Sequence, residues 1–120
     1  MHYFRKGTTT SPAVIMDHKT KSALISGKSI CTDIVAYASV VVDIKQQMEQ
    51  FAYTDLNINL KVFNTPAAKS LLDIMKSIKY TKGKAQTAIH WHCEKEDAEM
   101  QEMASYYSQL LEIDIDILYN

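Results

Sequence analysis

The sequence lacks the motifs with which many enzymes bind phosphates or activate a nucleophile. It has no GxGxxG fingerprint, no P-loop and no GxSxG elbow. Its two cysteines, Cys31 and Cys93, form neither a CxxC pair nor a disulfide framework. These absences indicate a protein that is not an enzyme, has no catalytic residues and carries no cofactor.

An excess of charge of one sign is also lacking. Thirteen basic and 14 acidic residues leave a net charge of −1, with no polybasic tract for nucleic acid or a membrane surface. The longest strongly apolar run, at about residues 34–44, is interrupted by Tyr37, Ser39 and Asp43 and is too short to span a bilayer. The N-terminus lacks the apolar region of a signal peptide. We therefore expect a cytoplasmic protein that binds neither nucleic acid nor membranes.

Glycine and proline are scarce, with three and two residues, so few positions are suited to a linker. The 120 residues, 47% of them hydrophobic, suffice for one ordinary core and leave no room for a second. Residues 1–11 are polar and end in Gly-Thr-Thr-Thr-Ser, which is typical of a flexible segment. The predicted organisation is a flexible lead-in over residues 1–11 and a single domain over residues 12–120.

Hydrophobic periodicity predicts the order β-β-α-β-α-β-α-β. Alternating apolar residues indicate strands at about residues 13–16, 22–26, 56–62, 87–92 and 113–117. Apolar residues spaced by three and four indicate helices at about residues 33–52, 66–80 and 97–111, the first capped by Asp33. Strand-helix-strand units imply right-handed parallel crossovers, and alternating strands imply a single covered face. The predicted fold is an α/β fold with a mixed five-stranded sheet and three helices on one face.

The junction between the third predicted strand and the second helix carries the main functional hypothesis. Asn64 or Thr65 is a suitable N-cap, and Pro66 suits the first helical position, where a missing N–H is not needed. A threonine there places its hydroxyl beside unpaired backbone N–H groups at the positive end of a helix. Such a position accepts a phosphate of charge about −1.5 to −2. Phosphorylation of Thr65 requires that its side chain be exposed at the start of the helix.

The local pattern alone is explained more simply by a plain capping threonine. Caps of this kind are common and are worth about 1 kcal/mol of stability. Spacing therefore leaves open whether Thr65 is a cap or a regulatory hydroxyl.

Two family resemblances bear on this junction. The strand, the turn with a phosphorylatable hydroxyl and the helix loosely resemble the STAS domains of anti-sigma-factor antagonists. The chain has Asn64-Thr65-Pro66-Ala67 where those domains have Asp-Ser-[Ser/Thr]-Gly. The chain is more closely similar to the SiaC family of bacterial regulatory phosphoproteins. This resemblance rests on the segments Thr10-Ser11-Pro12-Ala13-Val14, Ile25-Ser26-Gly27-Lys28-Ser29, Leu60-Lys61-Val62-Phe63-Asn64-Thr65, Leu71-Leu72-Asp73-Ile74-Met75, Ile89-His90-Trp91-His92 and Glu94-Lys95-Glu96-Asp97.

The resemblance to SiaC implies a STAS-like, partner-switching protein whose switch is Thr65. A histidine-kinase-like Ser/Thr kinase would phosphorylate the threonine, and a PP2C-type phosphatase would reverse the modification. The unphosphorylated form would bind a diguanylate cyclase or another output protein, in cyclic di-GMP signalling and biofilm formation. A dianion at Thr65 would disfavour an interface built for a neutral hydroxyl. The residues expected to contact partners are Asn64, Pro66, Ala67, Lys69 and Ser70.

Two other functions remain open from the residues. One is a STAS-like domain that binds a protein or a small ligand without being modified. The other is a small metal-dependent enzyme that uses His90 and His92, which lie about 7 Å apart on one face of a predicted strand. Cys93 points to the opposite face, and no nearby carboxylate has the spacing of a third ligand. Half-buried strand histidines are the simpler interpretation, so no metal site is predicted.

Overall fold

The structure alternates strands and helices in the predicted order, with one further strand at the start. It is a computed structural model that describes residues 3–30, 34–82 and 88–120. The strands are β1 (Tyr3–Arg5), β2 (Ala13–Asp17), β3 (Ser22–Ser29), β4 (Asp55–Phe63), β5 (Ala88–Cys93) and β6 (Ile115–Tyr119). The helices are α1 (Ile34–Gln50), α2 (Thr65–Lys82) and α3 (Ala98–Leu111). Cys31, the predicted cap Asp33 and the predicted strand residue Thr87 lie outside the described residues.

The six strands form one sheet in which their order along the chain is also their order in space. The pairs β1–β2 and β2–β3 are antiparallel, and β3, β4, β5 and β6 pair in parallel. The mixed α/β sheet with three helices is therefore confirmed over the described residues, whereas the predicted number of five strands is one fewer than they form.

The additional strand, β1, lies within residues 1–11, which the sequence predicts to be a flexible lead-in. It pairs with β2, with Tyr3 opposite Met16, and the Tyr3 side chain packs against the core. Three residues are too few for an alternating pattern to be visible in the sequence. These residues form a strand because their backbone pairs with that of β2, and a pattern of neighbouring residues does not reveal a partner so far along the chain.

The strand order explains why the helices share one face of the sheet. Each strand-helix-strand unit from β3 onward moves one position in the same direction, and right-handed crossovers in a constant direction leave every helix on the same side. Burial agrees with this arrangement. On β4, Leu56, Ile58 and Leu60 are buried, while Asn57 and Asn59 on the other face are half-exposed. Each buried leucine or isoleucine contributes about 1.5–3 kcal/mol to the stability of the fold.

Gly27 lies where β3 changes its register against β4, one residue past the end of the strand that the sequence predicts at about residues 22–26. The register shift falls between Gly27 and Lys28, and a φ angle of 98° at Gly27 is one that side chains rarely permit. The strand then continues to Ser29, opposite Phe63. The Asn64 N–H donates to the Ser29 carbonyl oxygen at 3.3 Å, so the bulge extends the sheet up to the junction before α2.

No helix in the described part of the chain is both long enough and apolar enough to span a membrane.

Candidate functional site at the start of the second helix

Thr65 is the first residue of α2, and its side chain is exposed. The accessibility that phosphorylation requires is therefore present. Within the described residues, the Thr65 hydroxyl makes no hydrogen bond. The strands β3 to β6 follow one another in space, and α1, α2 and α3 connect them in turn, so α2 lies between α1 and α3. Thr65 therefore lies in the middle of the edge where the parallel strands end.

Asn64 caps the helix, which decides between the two caps that the sequence left open. Its Oδ1 atom accepts the Ala67 N–H at 3.2 Å, and its carbonyl oxygen accepts the Ala68 N–H at 2.9 Å. The sequence predicts Pro66 at the first helical position, but α2 begins at Thr65, so Pro66 is the second helical residue. Its missing N–H belongs to the first turn, where the helix supplies no acceptor, so the proline costs no helical hydrogen bond. Capping by Asn64 leaves the Thr65 hydroxyl available for chemistry.

We expect Asn64→Ala to lower the free energy of unfolding by about 1 kcal/mol, because the Ala67 N–H then loses its acceptor. Thr65→Ala removes no capping bond and is expected to change stability by less than about 0.5 kcal/mol. Urea denaturation followed by circular dichroism measures both variants. A larger loss for Thr65→Ala than for Asn64→Ala would show that the threonine is the cap after all.

A groove of about 660 Å³ opens beside Thr65, between the junction and α3. One wall is formed by the end of β4 and the first turn of α2, and the other by the first three turns of α3. Its lining residues are Lys61, Val62, Phe63, Asn64, Thr65, Ala68, Asp97, Glu99, Met100, Glu102, Met103 and Tyr106. The lining thus combines apolar side chains from both walls with three carboxylates on the α3 side and Lys61 on the β4 side.

Packed aromatic rings support the groove from below. Trp91 contacts Phe63 edge to face, with ring centroids 6.2 Å apart, and Tyr107 in a tilted arrangement at 5.8 Å. The Tyr107 hydroxyl donates to the Ala68 carbonyl oxygen at 2.9 Å, which ties α3 to the first turns of α2. Burial, with a smaller contribution from Tyr106, raises the pKa of Tyr107 to about 12, so this hydroxyl keeps its proton and remains a donor well into the alkaline range.

The two walls differ in charge. The first turn of α2 has no acidic residue, so the positive end of its helix dipole is not compensated there. Asp97 caps α3 by accepting the Met100 N–H at 3.1 Å, and Glu99 lies in the first turn. The sequence indicates that these acidic residues lie on a polar helix face. That the same face borders Thr65 follows only from the packing of α3 beside α2.

The sequence model of the SiaC family of regulatory phosphoproteins matches residues 5–119, which is nearly the whole chain. The chain belongs to the SiaC family. This assignment confirms the resemblance seen in the sequence. It also agrees with the prediction that the protein is not an enzyme, since the family is one of regulatory phosphoproteins.

Solved SiaC structures from Pseudomonas aeruginosa have the same fold. In the crystal structure of the diguanylate cyclase SiaD in complex with its activator SiaC, the matching chain is 17% identical, with a TM-score of 0.84 and coverage of 98% of this chain and 99% of that chain. Apo-SiaC is 18% identical, with a TM-score of 0.80 and 96% of both chains covered. At this level of identity the likeness establishes the fold alone. Among curated proteins, no match was found.

The residues predicted to contact partners of this SiaC-family protein differ in accessibility. Asn64 lines the groove, and Pro66 and Lys69 are exposed. Ser70 is half-buried, and its hydroxyl donates to the Pro66 carbonyl oxygen at 3.2 Å. Ala67, in contrast, is only 1% exposed, so its methyl group packs inside the protein and is not presented to a partner.

Several groove residues were not among the predicted contacts, including Lys61, Met103 and Tyr106 on the far wall and rim. The sequence offers no signal for Met103 and Tyr106, because they lie 38 and 41 positions from Thr65 along the chain and are joined to it only by the packing of α3. Their helix was recognised correctly, but periodicity does not show which neighbouring helix it faces.

His90 and His92 lie on the open face of β5, each beside a polar neighbour. His90 Nδ1 is 3.4 Å from Asp116 Oδ2, and His92 Nε2 is 3.3 Å from Asn57 Oδ1. Across residues 3–30, 34–82 and 88–120, no three His, Cys, Asp or Glu side chains are grouped so that they could hold a metal ion.

Proposed function

We propose that this SiaC-family protein is a bacterial, cytoplasmic, partner-switching phosphoprotein controlled by reversible phosphorylation of Thr65. In its unphosphorylated form it binds and regulates a diguanylate cyclase or a similar output protein. The observation that carries the proposal is the position of Thr65. Its exposed hydroxyl is not used for capping and lies on the edge of a partly apolar groove.

The start of α2 is chemically suited to a phosphate. The backbone N–H groups of a first helical turn and the helix dipole favour a negative charge, and no acidic residue of α2 competes for that position. Asn64 continues to cap the helix in both states, so modification need not unfold the first turn. The phosphate can therefore form without loss of the fold, and its effect falls on the surface around it.

The same phosphate changes the groove that a partner would enter. Asp97, Glu99 and Glu102 already give one wall negative charge, and a dianion at Thr65 adds about −1.5 to −2 on the other side. A partner segment that buries apolar side chains against Met100 and Met103 would have to desolvate this charge. Phosphorylation is therefore expected to release the partner.

The kind of partner is supported by the fold and by the lining of the groove. The chain shares its fold with SiaC, which the solved complex shows as the activator of the diguanylate cyclase SiaD. The apolar side chains that line the groove, among them Met100 and Met103, fit a partner segment that buries apolar residues there. We include in the proposal a histidine-kinase-like Ser/Thr kinase and a PP2C-type phosphatase, which write and remove the phosphate.

Phosphosite mapping by mass spectrometry tests the proposal. The protein is incubated with ATP and the kinase encoded beside its gene, and Thr65→Ala and Thr65→Ser are treated in parallel. We expect one phosphate on Thr65, none on Thr65→Ala, and one on the serine variant, because it keeps the acceptor hydroxyl. The PP2C-type phosphatase should remove it. A phosphate that persists on Thr65→Ala, or no phosphate on any form, would refute the assignment of the switch.

A further inference from the structure

Strand β6 is a free edge of the sheet formed by the described residues, and it has few of the features that protect edges. It is five residues long, contains no proline, lysine or arginine, and pairs with β5 without a register shift. The other edge, β1, has only three residues. The side chains of Leu118 and Tyr119 on β6 are 42% and 54% exposed.

The backbone groups that face outward from β6 can be identified from one hydrogen bond. The Asn120 N–H donates to the Cys93 carbonyl oxygen of β5 at 2.9 Å. In a strand, the N–H and C=O of one residue point to the same side, and successive residues alternate between sides. The even-numbered residues therefore bond to β5, whereas Ile115, Ile117 and Tyr119 direct their N–H and C=O groups to the open edge.

We propose that β6 pairs antiparallel with β6 of a second copy of this chain, with Ile117 opposite Ile117 at the two-fold axis. In this register Ile115 of one copy lies opposite Tyr119 of the other. By symmetry, Tyr119 of the first copy lies opposite Ile115 of the second, which gives three facing pairs. Each is a hydrogen-bonding pair, so every outward N–H and C=O of both strands gains a partner. The two sheets become continuous, and the two-fold axis perpendicular to the sheet keeps all helices on one face.

Charge selects this register over its neighbours. Centred on Ile117, the pairing places Asp116, the single charged residue of β6, opposite Leu118 of the second copy. Centring on Asp116 would place two carboxylates directly opposite each other, which is destabilising. Centring on Leu118 would set Ile115 opposite a position past Tyr119, where β6 ends, so fewer strand residues would be paired. A shift of one strand by a single residue would set a residue whose side chain faces the helices opposite one whose side chain faces the open side of the sheet. The side chains of such a pair would not match across the two strands.

The surface above β6 has room for a second copy. A groove of about 520 Å³ runs between α3 and the edge, and its lining is mainly small or uncharged. It is formed by Ala98, Gln101, Glu102, Ser105, Tyr106, Gln109 and Ile117. In the paired arrangement, the helix-side residues of the second β6 enter this space. Since the strands run antiparallel, the two Thr65 rims face opposite directions, and Thr65 itself does not line the space that the second copy enters.

Sedimentation equilibrium over a range of protein concentrations tests the pairing, with two substitutions of one exposed residue. Leu118→Asp sets a carboxylate opposite Asp116 of the second copy at two symmetric positions and is expected to weaken dimerisation by about tenfold. Leu118→Lys sets opposite charges there and is expected to dimerise as tightly as the unmodified chain or more tightly. Phe4→Asp, on the exposed part of β1 at the opposite edge, is the matched control and should leave the dissociation constant unchanged.

Each other result overturns the inference. A chain that is monomeric at all concentrations has no such pairing. Equal weakening by Leu118→Asp and Leu118→Lys would exclude the register centred on Ile117, because lysine is favourable only opposite Asp116. Weakening by Phe4→Asp would place the contact at β1. Circular dichroism of each variant establishes that the fold is intact, and the inference does not depend on phosphorylation of Thr65.

Discussion

Phosphorylation of Thr65 is expected to weaken the binding of a diguanylate cyclase by about 100-fold, which corresponds to about 2.7 kcal/mol. The dianion lies on the edge of a groove that already carries Asp97, Glu99 and Glu102. A partner that covers the groove must remove water from the phosphate without offering it a neutralising group. Unpaired charge in an interface costs several kcal/mol, so the expected effect exceeds that of losing one hydroxyl hydrogen bond.

Isothermal titration calorimetry with the diguanylate cyclase of the same genome measures this loss, using phosphorylated protein purified by anion exchange. The control is Thr65→Val, which keeps the shape of threonine without a hydroxyl or a charge. We expect its affinity to stay within about threefold of the unmodified protein. Equal or tighter binding by the phosphorylated form would reverse the direction of the proposed switch. A similar loss in Thr65→Val would mean that the hydroxyl itself is the binding determinant.

Trp91→Ala is expected to lower the free energy of unfolding by about 3–5 kcal/mol. Trp91 is 1% exposed on β5, which is paired on both sides by β4 and β6, and its ring contacts both Phe63 and Tyr107. Its removal leaves a large cavity beneath the junction before α2, between elements that cannot easily close together. We therefore expect the groove beside Thr65 to lose its rigid floor in addition to the loss in stability.

Guanidinium denaturation followed by far-ultraviolet circular dichroism measures the change, because the variant has no tryptophan to report by fluorescence. Leu110→Ala is the control, since it also replaces a large apolar side chain but at a position that is 50% exposed. Its expected loss is below about 1 kcal/mol. A Trp91→Ala loss as small as that of the control would show that the ring does not anchor the core.

The parts of the fold that were predictable from sequence are those that local periodicity encodes. On β4, the alternation of Leu56, Ile58 and Leu60 with asparagine gives the strand, its buried face and the one-sided sheet. The three helices follow from apolar residues spaced by three and four. The start of α2 was uncertain by one residue because Asn64 and Thr65 are both good capping residues, and only the bond to Ala67 separates them.

What escaped prediction depends on partners that are distant along the chain. The strand β1 exists because Tyr3 meets Met16, and β3 continues past Gly27 because a register shift keeps it paired with β4. The acidic wall of the groove was visible as a run of carboxylates, but its position opposite Thr65 follows from the packing of α3. Thr65 itself was chosen from the local junction and the family resemblance, and its exposure agrees with that choice.

The agreement between strand order and chain order also bears on how the protein is made. Each strand pairs with the one synthesised just before it, so a chain emerging from the ribosome can extend the sheet one element at a time, with mostly short-range closures. Thr65 and its cap are complete once α2 has formed, whereas the acidic wall arrives only with α3. A nascent chain would therefore display the acceptor hydroxyl before it has a groove, and partner recognition would be acquired last.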